Sequence, residues 1–278
     1  MNGKIVLITG GTSGIGRVTA RELKRMGATV VVVGRDPARL DVLKREIGAD
    51  TIRADLQLVS EARRAADEFR RRYQRLHVLV NNAGALFGDR QVTSEGLERT
   101  FALNHMAYFT VTAALLDVLG ASAPARVVSV SSEAARGGRI DFSDLQMEHR
   151  FSGIWQYCNS KLMNLLFAFE LARRLQGSGV TSNAVHPGTV ASGFGGQGAG
   201  WFGVLTRIAR PFLLNEEKGA RTQIWAASDP SLERVTGKYF VKQREKKPPR
   251  AALDQAAARR LWEESEKILA SRAAPTTV

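Results

Sequence analysis

A single cysteine stands among 278 residues, so no disulfide can form within the chain. The four histidines, His77, His105, His149 and His186, are scattered and do not combine with that cysteine into the spacing of a zinc site. No metal is expected. Apolar runs stop short of the roughly 18–20 residues that cross a bilayer, so no membrane span is expected either. The start, Met1-Asn2-Gly3-Lys4, leads directly into an apolar strand, without the apolar segment and small-residue cleavage site of a secretory signal. The expected location is cytoplasmic. Acidic side chains are in deficit, 27 Asp and Glu against 40 Lys and Arg, which leaves a formal charge of +13. Such an excess can serve nucleic acid or an anionic surface. Here the basic residues fall in separate segments, at Arg63-Arg64, Arg70-Arg71-Arg72, Arg173-Arg174, Lys246-Lys247 and Arg259-Arg260. They form no concentrated stripe and are not interleaved with aromatics, so a nucleic-acid partner is not expected.

Short apolar, β-branched runs alternate with longer amphipathic stretches. The runs cover 5–9, 29–34, 51–54, 78–81, 127–131 and 181–186, with a weaker one at 239–241. Most lack a polar alternation, as in strands whose two faces are both covered by helices. The stretches between them have helical length; Leu162, Leu165, Leu166 and Phe169 form one apolar stripe. Gly27 and Gly177 stand where helices should end. The rhythm predicts an α/β fold, a Rossmann-type doubly wound parallel sheet of about seven strands with helices on both faces. No linker or repeat interrupts it, so residues 1–278 read as a single domain. Segment 137–155 is an insertion, 243–250 reads as an exposed basic loop around Pro248-Pro249, a last helix covers about 253–270, and 271–278 is a frayed tail.

The first predicted strand ends at Thr9 and glycines follow at once: Gly10-Gly11-Thr12-Ser13-Gly14-Ile15-Gly16. Glycines permit a tight turn and let backbone approach phosphate oxygens, and the N-terminus of the next helix offers free N–H groups to a pyrophosphate. The second strand ends Val33-Gly34-Arg35-Asp36. An acidic residue there would bind a free ribose 2′-hydroxyl, whereas an arginine suits a 2′-phosphate. Gly34 occupies the acidic position and Arg35 follows, so the expected cofactor is NADP(H), with Ser13 as an added donor. The competing role of this segment is Asp36 capping the next helix. Asp55 is either a partner for the adenine amino group or a helix cap.

Tyr157 and Lys161 lie four residues apart in Tyr157-Cys158-Asn159-Ser160-Lys161, on one face of a predicted helix. A phenol and an ammonium that meet over a dinucleotide can do acid–base chemistry. A free tyrosine has a pKa near 10, and Lys161 together with the cationic nicotinamide of an oxidised cofactor is expected to depress it. Cys158 points to another face and reads as inert.

Together with Asp55-Leu56, Asn81-Asn82-Ala83-Gly84, Asn104, Ser131-Ser132 and Pro187-Gly188, these motifs resemble the short-chain dehydrogenase/reductase family from Lys4 to about Ala270. Phe101-Ala-Leu-Asn104-His105, Gly237-Lys238-Tyr239-Phe240 and Arg260-Leu261-Trp262-Glu263-x-Ser265 are similar to its retinol dehydrogenase branch. The resemblance implies a hydride transfer between nicotinamide and the carbonyl or alcohol of an apolar small molecule, as in carbonyl reductases. It implies Tyr157 as general acid/base, Lys161 on the nicotinamide ribose, Ser132 rather than Ser131 on the substrate oxygen, and Asn104 holding a water behind Lys161. It also implies cofactor contacts from Gly10, Thr12, Ser13, Gly14, Ile15, Gly16, Arg35, Asp55, Leu56, Asn82, Ala83, Gly84, Pro187, Gly188, Val190 and Ser192. A substrate lid is expected over 192–215, with Phe194, Trp201 and Phe202 joined by Trp155 from the insertion. A homodimer or homotetramer is expected through the helices that follow Asn81–Gly84 and Ser132. The alternative is a non-catalytic dinucleotide-sensing protein on the same fold.

Overall fold

The apolar runs assemble into one twisted sheet. The computed structural model describes residues 1–188 and 216–273. Seven strands run parallel in the order β3 (Asp50–Arg53), β2 (Thr29–Gly34), β1 (Ile5–Thr9), β4 (Val78–Asn81), β5 (Ala125–Val130), β6 (Val180–His186) and β7 (Tyr239–Val241). A two-residue strand, β8 (Arg244–Glu245), then adds antiparallel to β7. The pattern pointing to a loop over 243–250 misses this strand. The turn depends on Lys242 and Gln243 at φ 52° and 59°, a left-handed conformation that nothing in their residue types announces.

Alternate residues of a strand face opposite sides, and the core divides accordingly. Leu7, Val31 and Val33 pack with α3 (Val59–Arg72), α4 (Arg99–Ala121), α5 (Gly153–Arg174) and α7 (Gln255–Ala273). Val6, Ile8, Val30 and Val32 face α1 (Gly14–Arg25), α2 (Pro37–Ile47) and α6 (Glu216–Ser228). Both faces are therefore covered, which is why the strands carry so few polar residues. By length and composition α4 is apolar enough to cross a membrane, but 72% of its most apolar window is buried inside the fold, as in a core helix.

Strand β1 has β2 on one side and β4 on the other, so the order reverses there. A parallel sheet opens a crevice beyond its carboxyl ends at such a reversal, and ligands bind in it. The glycine turn leaves β1 at that point. Helix α4 also carries a π-helical segment, Ala102–Met106, which includes Asn104. Such local widening of a helix is common at functional sites.

Candidate active site

Thr9 ends β1 and fixes the floor of the crevice. Its hydroxyl accepts from the backbone N–H groups of Asn82 (3.0 Å) and Ala83 (3.1 Å). Asn82 returns the contact, its Nδ2 donating to the carbonyls of Thr9 (2.9 Å) and Gly10 (3.1 Å). These bonds lash the glycine turn to the end of β4. At Gly10, φ is +68° and a Cβ would lie 2.8 Å from the Ala83 Cα, so only glycine fits. Ser13 is the N-cap of α1 and its side chain makes no capping hydrogen bond. Gly14, Ile15 and Gly16 form the first turn of that helix, whose N–H groups face the crevice end of the sheet. Leu56 is buried behind the end of β3. Pro187 and Gly188 (φ +88°) follow β6 directly.

The β2–β3 end is built differently. Gly34 pairs with Arg53 across the two strands, so Arg35 and Arg53 emerge side by side. With Ala54, Asp55, Glu61 and Arg64 they line a cavity of about 400 Å³. A Cβ on Gly34 would meet Thr12 Cγ2 at 2.6 Å, so this backbone has no room for an acidic side chain there. Arg64 is occupied by Glu61 at 2.7 Å, and neither Arg35 nor Arg53 has an ion pair among the described residues. The residues present suit a 2′-phosphorylated ribose. Asp36 caps α2, accepting from Ala38 and Arg39 N–H, and Asp55 accepts from the Gln57 backbone N–H at 3.1 Å.

Toward the middle of the sheet, Tyr157, Ser132 and Lys161 converge at the end of β5. Ser131 and Ser132 part company. The Ser131 hydroxyl is buried and donates to the Lys161 carbonyl at 2.7 Å, whereas the Ser132 hydroxyl hydrogen-bonds the Tyr157 phenol. Lys161, only 3% exposed, donates to the Val130 carbonyl at 3.2 Å and lies 5.5 Å from the Tyr157 ring centroid. Burial lowers its pKa to about 7. A Cβ on Gly84 would sit 3.3 Å from Lys161 Nζ and 3.2 Å from Asn104 Oδ1, so the glycine keeps that space open. Asn104 receives the Ala85 N–H at 2.9 Å and donates to the Ala85 carbonyl and to Ser160 Oγ (2.9 Å). Its amide is largely spent on these bonds; one Oδ1 lone pair remains for a water.

The phenol of Tyr157 departs from expectation. Burial pushes its pKa well up, and the Ser132 hydrogen bond pulls it only partway back. The expected depression by Lys161 is not produced by the protein's own groups. Lys161 is buried and Tyr157 is partly buried, and a lysine near neutrality carries little fixed charge to favour phenolate.

Trp155 is 55% exposed in the first turn of α5, its ring edge over Gly137. Val190, Ser192, Phe194, Trp201 and Phe202, with the rest of the expected lid, lie outside the described residues. Cys158 is buried between Gly137 and α5. Among the described residues no three His, Cys, Asp or Glu side chains come together in a way that would hold a metal. Sequence patterns pass over Thr9, Glu98 and Gln156. Thr9 sits inside the glycine motif as its strand's last residue. Glu98 has a visible signal, an acidic residue just before a long apolar helix.

Known proteins share this fold and much of this sequence. The family profile described as short chain dehydrogenase matches residues 4–198. Human retinol dehydrogenase 12 is 40% identical over 277 residues, covering 97% of this chain and 87% of that protein. A crystal structure of an uncharacterized protein from Mycobacterium paratuberculosis aligns with TM-score 0.79 at 33% identity, covering 97% and 94% of the two chains. A short chain dehydrogenase from Burkholderia cenocepacia, solved in complex with NADP, aligns with TM-score 0.69 at 26% identity over 86% and 96%. The protein belongs to the short-chain dehydrogenase/reductase family, as an oxidoreductase that resembles the retinol dehydrogenases.

Proposed function

We propose that this protein is an NADP(H)-dependent oxidoreductase that interconverts a carbonyl and an alcohol on an apolar small molecule, acting as a carbonyl reductase in the cytoplasm. The observation that carries this reading is the convergence of Ser132, Tyr157 and Lys161 beside the glycine turn. A nicotinamide cofactor held by these residues would supply or accept the hydride. Tyr157 holds the proton. Its raised pKa keeps the phenol protonated at neutral pH, which suits a donor to a carbonyl oxygen. Ser132, which hydrogen-bonds that phenol, would turn its one hydroxyl hydrogen to the substrate oxygen and steady its developing charge. Lys161 titrates near neutrality and can restore the proton to Tyr157. Asn104 keeps one acceptor for the water behind it.

The 2′-phosphate assignment draws on Arg35, Arg53 and the crowded Gly34. Fluorescence transfer from tryptophan to bound NADPH or NADH measures the preference, and apolar ketones and aldehydes are screened for NADPH consumption. Tyr157→Phe should bind NADPH normally and lose about 10²–10⁴ in turnover. Normal turnover by that variant would remove Tyr157 from the role. A preference for NADH unchanged by Arg35→Ala would remove the phosphate reading. If no carbonyl is reduced while NADPH binds tightly, the sensing alternative stands. A homodimer or homotetramer is part of the same proposal, and light scattering tests it.

A further inference from the structure

Glu98 stands immediately before α4 and is 0% exposed. No arginine or lysine forms an ion pair with it among the described residues. A buried carboxylate is costly unless hydrogen bonds satisfy it, and here they come from two helices. Its Oε1 accepts the Thr100 N–H at 2.7 Å, and its Oε2 accepts the Phe101 N–H at 2.8 Å. These are the first orphan donors of α4, where the helix dipole also favours a negative charge. The Oε2 atom accepts a third bond, from Gln156 Nε2 at 3.0 Å. Gln156 is itself buried, lies in the first turn of α5, and precedes Tyr157 directly.

The insertion between β5 and α5 is tied into the same knot. The Gln156 amide also donates to the Leu145 carbonyl at 3.2 Å, and Gln146 Oε1 accepts the Glu98 N–H at 2.8 Å. The three groups hydrogen-bonded to the Glu98 carboxylate are all donors. An amide in its place would turn an NH₂ toward one of them, so the carboxylate is chemically required and not merely tolerated. One turn beyond this cap the π-helical segment presents Asn104, whose Nδ2 bonds Ser160, and Ser160 Oγ donates to the Tyr157 carbonyl at 2.8 Å. Among the described residues, side-chain hydrogen bonds join the two helices that carry the proton machinery at two places, through Ser160 and through Glu98.

We infer that Glu98 is a positioning residue for catalysis: by capping α4 and holding Gln156, one buried carboxylate sets Asn104 and Tyr157 in register with each other. This rests on the reading of Tyr157 as the proton donor. Small misplacements of such groups have large kinetic effects, because the reacting atoms must stay in near-attack geometry.

The test compares Glu98→Gln, Gln156→Met and the double variant as purified full chains with NADPH and an apolar ketone that the wild type reduces. Each single variant should lose about tenfold or more in kcat, with KM and NADPH affinity within about twofold of wild type. The double variant should be no worse than the more damaging single, since both break one bridge. Glu170→Gln is the control. It removes the partner of Arg173 and Arg174 at the far end of α5 and should lower Tm without touching kcat. If Glu98→Gln fails to fold, Gln156→Met, which leaves the α4 cap intact, decides alone. Unchanged kcat in Gln156→Met, or a loss shared equally by KM and NADPH affinity, overturns the inference. Tyr157→Phe is measured in parallel. If it turns over normally, the proton-donor reading fails and takes this inference with it. An inactive Tyr157→Phe beside an unimpaired Gln156→Met overturns the positioning role alone.

Discussion

At the carboxyl ends of β4 and β5, Asn104, Ser131 and Lys161 are buried, and each is held by named hydrogen bonds. Beyond β2 and β3, Arg35 and Arg53 stand exposed at the rim of an open cavity. The first region is buried and closely hydrogen-bonded, the second exposed and charged; they are the dry and the wet end of the crevice only in that sense. Proton transfer needs fixed geometry and shifted acidities, which burial provides. Recognition of a phosphate needs only charge and a fork of N–H donors, which exposed arginine provides at small cost to folding. The contrast predicts different failures for the two regions. Damage to the dry end should appear in kcat and in pH-dependent stability. Damage to the wet end should appear in cofactor affinity and in its salt dependence.

The strongest way to break the contrast is Lys161→Met. Turnover should fall by about a hundredfold or more. Stability should behave oppositely. Burial lowers the Lys161 pKa from 10.5 to about 7, so between those values the unfolded chain binds more protons than the folded one. Wild-type stability then gains from this group as pH rises through that window, by at most about 1.4 kcal/mol per pH unit. The variant should lack that gain in denaturant titrations, and an unchanged slope would show that Lys161 is not desolvated as described. Next in size is Gly10→Ala. Its Cβ would press on Ala83 at a positive φ, costing about 1–3 kcal/mol in thermal unfolding and weakening both dinucleotides alike.

Arg35→Ala is expected to weaken NADPH by about tenfold and leave NADH unchanged, with the difference shrinking in high salt. Equal loss for both cofactors would mean that Arg35 does not read the phosphate. A last test, which leaves turnover and cofactor affinity alone, concerns a histidine inside the buried region. His105, in the π-helical segment, bonds Ser265 of α7 at 2.8 Å, and burial lowers its pKa to about 3. The folded protein keeps it neutral, so its contribution is intact above the ordinary value near 6.5 and is lost as pH falls toward 3. His105→Gln should flatten acid unfolding across that interval, and an acid limb that does not change would clear His105 of the role.

Much of this was legible in residue order. Nearly pure β-branched runs such as Val30-Val31-Val32-Val33 can only be strands covered on both faces. The spacing of Tyr157 and Lys161 places them together on any helix. What pattern could not show was environment. The rise in the Tyr157 pKa comes from burial, which no residue pattern displays. Glu98 and Gln156 are 58 positions apart and meet only because α4 and α5 lie together. The π-helical segment arises inside a run that reads as ordinary helix, and the Lys242-Gln243 turn uses residues with no turn preference. Local chemistry announces motifs, and the partners that tune them arrive through the fold.

Cys158 offers a built-in gauge of these helices. It is the chain's lone thiol, 8% exposed and flanked by Tyr157, and burial raises its pKa. A maleimide or disulfide reagent should reach so buried a thiol only when the packing of α5 against Gly137 and Gly138 loosens. The rate of alkylation therefore counts those excursions without any added label, and NADPH should slow the modification if ligand binding quiets the opening.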